Sequence, residues 1–88
     1  MDSKKKFLYL LNIGITLHAP YLSSVCYGRI AQVILPEPVE TFELFTDVEL
    51  SQIVGDFIHI LRGNNKNIEE DLENFWNKRI EYIKKEKG

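Results

Sequence analysis

Few of the residues able to do chemistry in this 88-residue chain are spaced so that they could act together. The two histidines, His18 and His59, and the single cysteine, Cys26, form no close pair. That leaves no zinc-ligand spacing, and no metal site is expected. No glycine-rich stretch resembles a phosphate cradle, so no cofactor is expected either. Ser23-Ser24-Val25-Cys26 sets two hydroxyls beside a thiol but lacks the strand-to-helix context that exposes a nucleophile. Asp56 and His59, three residues apart, could form an acid–base pair, yet a solvated contact on a polar helix face has the same spacing. The balance points away from an enzyme. The nearest enzymatic reading is a small site shared between subunits and built from Tyr27, Arg29, Asp56 and His59.

Two features carry the chemistry of recognition instead. Arg79 falls in the middle of an apolar arc formed by Ile68, Leu72, Phe75, Trp76, Ile80, Tyr82 and Ile83. A guanidinium placed there must snorkel, meet a carboxylate such as Glu43, or face a partner, because burying it alone costs several kcal/mol. Arg and Trp are enriched among binding hot spots, which makes Arg79 with Phe75 and Trp76 a candidate interface anchor. The second feature is a stretch between Arg29 and Arg62 that has no Lys or Arg but contains Glu37, Glu40, Glu43, Asp47, Glu49 and Asp56. It reads either as a solvated rim or as an acidic patch steering the chain toward a basic protein surface, such as that of a nucleic-acid-handling partner.

The chain's overall charge is consistent with this. Eleven Lys and Arg against thirteen Asp and Glu give a formal net charge of −2, without the basic excess that drives nonspecific nucleic-acid binding. The competing class is a nucleic-acid-binding regulator using the C-terminal helix pair, with Lys66, Lys78, Lys84, Lys85 and Lys87 near the second helix. Glu70, Glu73 and Glu81 on that helix would bring carboxylates to phosphates. Ten Ile, eight Lys and six Asn against two Ala is the pattern of AT-rich coding, common in low-GC bacteria and their phages.

The elements that must position these residues divide at about residue 46. Lys4-Lys5-Lys6 precedes an uncharged run, and together they superficially resemble a targeting segment. The apolar part is too short to span a bilayer, so no membrane association is expected. Leu11, Ile13, Ile15 and Leu17 alternate with Asn12, Gly14 and Thr16, the period of two of a half-buried strand. Residues 25–35 are rich in β-branched and aromatic types and read as a second strand, with Gly28 as a bulge, although helical spacing fits them too. Thr41–Phe45 alternates like a third short strand.

Thr46-Asp47-Val48-Glu49 is a capping box, with Phe45 and Leu50 placed as a hydrophobic staple, and it opens an amphipathic helix over 47–62. Gly63-Asn64-Asn65 supplies a left-handed stop, and Asn67 with Glu70 repeats the capping signal for a helix over 67–86.

The sequence therefore predicts one α+β domain over 1–88. It has a basic tip at 1–6, a mainly β segment at 7–46 forming a small antiparallel sheet of two or three strands, and two C-terminal helices packed on that sheet. An all-α four-helix bundle is the alternative. The lone cysteine cannot form an internal disulfide, which fits a cytoplasmic setting. The predicted role is a non-catalytic protein-interaction module, an inhibitor or adaptor. The wide aromatic arc of the second helix also predicts a homodimer.

Overall fold

Residues 2–18, 23–63 and 66–88 are described by the structure, a computed structural model. Among them there is no strand, and the α+β expectation is overturned by five helices: α1 (Ser3–His18), α2 (Ser23–Ile34), α3 (Val39–Glu43), α4 (Asp47–Arg62) and α5 (Ile68–Lys87). The all-helical alternative is the correct class.

Each misread segment failed for a physical reason. In the first, the alternating run also contains a four-residue repeat. Phe7, Leu11 and Ile15 follow that repeat into the core, while Ile13 and Leu17 remain 39% and 72% exposed. The basic tip is not a separate segment but the first turn of α1, where the Asp2 carboxylate accepts the Lys5 amide at 2.8 Å. In the second segment Cys26, Ile30, Ala31 and Ile34 are buried at helical spacing. Gly28 is an interior helical residue with open space around it rather than a bulge. In the third, Phe42 and Phe45 point inward three residues apart, and Val39–Glu43 forms a single turn of helix begun by Pro38.

The second half follows its sequence signals closely. Thr46 Oγ1 accepts the Glu49 amide at 3.1 Å, and the Glu49 carboxylate accepts the Thr46 amide at 2.9 Å, so α4 starts at the predicted capping box. Phe45 and Leu50 are both buried, as a staple requires. Two details differ from expectation. Gly63 ends α4 with φ −76°, without a left-handed turn, and Asn64 and Asn65 lie outside the described residues. Asn67 precedes α5 without a side-chain cap, so the second capping box does not form.

Contacts between specific residues fix the topology. Lys4 at the start of α1 reaches the carbonyls that end α2, so these two helices are antiparallel. Lys6 meets Asp47 near the starts of α1 and α4, and further along Gly14 lies against Val54 and Ile58, so this pair is parallel. Lys87 meets Glu49 while Phe75 meets Phe57, which makes α4 and α5 antiparallel. The neighbours around the bundle are thus α1, α2, α5 and α4, with α1 and α5 on one diagonal and α2 and α4 on the other. Because α2 and α4 are diagonal, the chain between them must cross one end of the bundle, and α3 lies on that crossing.

The core at this end is aromatic. Trp76 is 2% exposed, and its ring centroid lies 6.0 Å from Phe7, 5.5 Å from Phe42, 6.4 Å from Phe45 and 6.0 Å from Phe57. Aromatic pairs at such distances add about 0.5–1.5 kcal/mol each beyond the area they bury. Below this cluster the aliphatic layer contains Leu11, Ile15, Ile30, Ile53, Leu72 and Cys26.

Candidate functional site

Trp76 and Phe75 have internal roles. Trp76 is the hub of the aromatic core, and Phe75 lies edge-on to Phe57 with ring centroids 5.1 Å apart. The wide arc on α5 is therefore largely covered within the chain, and Tyr82 is its one large apolar side chain left more than half exposed.

Arg79 sits beside them and meets no carboxylate among the described residues. Glu43 does not reach it. Its guanidinium lies 5.9 Å from the Phe45 ring centroid, and its Nε is buried with no hydrogen-bond acceptor. The side chain therefore crosses the core rim on an aromatic surface with its charge unmatched. Phe45 is held below it by the staple position before α4, which ties this geometry to the Thr46–Glu49 cap.

The six acids of the central stretch divide into two groups. Glu37 accepts Thr41 Oγ1 at 2.9 Å and lies 3.4 Å from Lys84 Nζ. Asp47 pairs with Lys6 at 3.0 Å, and Glu49 pairs with Lys87 at 3.2 Å. The amide of Thr46, helped by Lys87, holds the Glu49 carboxyl below its ordinary range. Glu40, Glu43 and Asp56 are exposed and make no ion pair among the described residues. The topology explains this division, because the N-terminus of α1 and the C-terminus of α5 bring their lysines to the same end as α3 and the start of α4. The stretch that looked purely acidic is thus interleaved with Lys4, Lys6, Lys84 and Lys87. Sequence reading missed this because the pairs span 31 to 47 residues. Two of the lysines invoked for nucleic-acid contact, Lys84 and Lys87, are bound to these acids.

The residues of the enzymatic reading are not brought together. Arg29 is exposed on α2, diagonal to α4, where Asp56 and His59 stand without bonding each other, and Tyr27 packs against the core. Cys26 is buried in the aliphatic layer. No group of three metal-binding side chains gathers among the described residues. Among the described residues, no helix is long and apolar enough to cross a membrane. His18, Gly55, Ile58, His59, Arg62 and Gly63 line an open depression of about 660 Å³ at the opposite end from α3. Comparison with known proteins adds no relative: no family model matches the chain, and neither does any curated protein or solved structure.

Proposed function

We propose that this chain is a small non-catalytic protein-interaction module, an adaptor or inhibitor, that docks through the rim formed by α3, the start of α4 and the Arg79 side of α5. The reading is supported above all by Arg79. A permanent charge kept half-buried on an aromatic ring, with no counter-charge among the described residues of a chain holding thirteen acids, is poorly explained by stability. It is well suited to an anchor that receives a partner's carboxylate, since Arg presents a planar fork of donors. Glu40 and Glu43, unpaired on α3, would meet basic side chains of the same partner. The partner surface is thus basic with one acidic group at its centre.

Affinity capture from the native host, run side by side with wild type and Arg79→Met, tests the proposal. The expected result is one or more proteins retained by wild type and lost by a variant that melts at the same or a higher temperature. Identical capture by both proteins would remove Arg79 from the function.

A further inference from the structure

We propose that a second copy of this chain packs on the outer face of α1 and α4, through a twofold axis that sets α1 against α1 and α4 against α4 in antiparallel pairs. This goes beyond the partner reading and uses the outer face of α1 and α4, which shares only the start of α4 with the partner rim.

The inference begins with a stripe that the fold leaves uncovered. Gly14 faces α4 so closely that an added Cβ would lie 2.9 Å from Ile58 Cδ1 and 3.0 Å from Val54 Cγ1. On the side of α1 beyond this contact, away from the core, helical geometry places Ile13 and Leu17, with Tyr9 next to them. On the matching side of α4 it places Val48, Ser51, Gly55 and Arg62. Tyr9, Leu17 and Val48 are 57%, 72% and 67% exposed, so the apolar surface is substantial. No residue from Phe7 to Leu17 is charged, so a symmetric partner brings no like charges together along α1.

The stripe is also symmetric in a way that selects the occupant. Tyr9 and Leu17 flank Ile13 at four residues on either side, so antiparallel α1 helices pair Ile13 with Ile13 and Tyr9 with Leu17. Asp47 and Arg62 flank the midpoint of α4, next to Gly55. Lys6 lies level with Asp47, and Gly14 lies level with Val54 and Ile58, so Ile13 and Gly55 stand at about the same height. One axis therefore serves both helices. It puts Gly55, with nothing within 4 Å of a would-be Cβ, where the two α4 helices cross and need a small residue.

Charge complementarity follows from the same axis. Arg62 is exposed, makes no ion pair among the described residues and stands beside His18 and His59. The operator carries it to the partner's Asp47, whose side chain stays 76% exposed even while it meets Lys6. The contact occurs twice, as a twofold axis requires. Each helix has 16 residues and is about 24 Å long, so two neighbours offer a face roughly 24 Å by 20 Å. That is about 480 Å² on each copy and roughly 960 Å² in total, under the roughly 1,200 Å² of stable specific interfaces, and it predicts a weak, reversible monomer–dimer equilibrium.

The test is sedimentation of the full chain across a wide concentration range, with helix content checked by circular dichroism. Wild type is expected to shift from monomer to dimer as concentration rises. Arg62→Glu and Asp47→Lys should each be monomeric, because each sets like charges opposite each other twice. Their equimolar mixture should form a heterodimer, because both contacts then pair opposite charges. Ile13→Glu, at an exposed position that folding does not need, should abolish association without altering helix content. A wild type that stays monomeric throughout overturns the inference. So does a dimer that survives Ile13→Glu or single charge variants that dimerise as well as their mixture.

Discussion

Arg79 contributes two opposing energies that can be bracketed. The cation–π contact with Phe45 stabilises by about 0.5–1 kcal/mol, whereas a buried donor without an acceptor costs about 1–3 kcal/mol. Arg79→Met keeps the stem and removes both, so urea denaturation should show stability unchanged or raised by about 1 kcal/mol. A loss of several kcal/mol would mean that the guanidinium holds the fold together. The Thr46 cap makes the opposite prediction. Thr46→Ala leaves the Glu49 amide without its acceptor and should cost about 1 kcal/mol. Glu49 adds a pH dependence. Its folded carboxyl titrates below the unfolded value of about 4.3, so the carboxylate's contribution is complete above that value and is lost as pH falls through the lower native one. Denaturation of wild type and Glu49→Gln should therefore differ at neutral pH, and the gap should narrow in acid. A gap independent of pH would contradict this account of the cap.

Among the elements, α4 was legible to its ends, because a reciprocal cap and a one-sided apolar pattern both specify the same helix. The helices α1 and α2 were not, because both of their faces carry apolar side chains and periodicity alone cannot separate a helix from a strand there. The one local signal that would have separated them was Asp2 as the cap of α1. The glycines supply a test of this helical reading. Gly28 sits inside α2 with space for a methyl group, so Gly28→Ala should raise stability by about 0.5–1 kcal/mol. That is roughly 4–8 °C in a melt for each kcal/mol in a domain of this size. Gly14→Ala gains the same propensity but drives its Cβ into Val54 and Ile58, and should destabilise by about 1–3 kcal/mol. A bulge at Gly28, as the strand reading held, would make Gly28→Ala destabilising instead.

Taken as a whole, the molecule reorganises its charge on folding. The bundle's up-and-down path returns the N-terminal and C-terminal lysines to the end where α3 crosses, so Glu37, Asp47 and Glu49 are neutralised locally while Glu40 and Glu43 remain. A charge balance along the chain could not reveal that, since it depends on which helix ends meet. Arg79 was legible as an anomaly, because a charge within an apolar arc can be read from spacing alone. That it lies on Phe45 rather than on a carboxylate was not, because Phe45 reaches it through the crossing segment. The proposed function therefore requires Arg79 to meet its counter-charge in another protein. The most direct test follows the Nε–Hε resonances of the three arginines, Arg29, Arg62 and Arg79, as the captured partner is titrated in. The Arg79 resonance should move to a saturated position as the partner's carboxylate comes up to its guanidinium, while that of Arg29 stays. A partner that binds, by the evidence of backbone amide shifts elsewhere, yet leaves the Arg79 resonance in place would contradict the account.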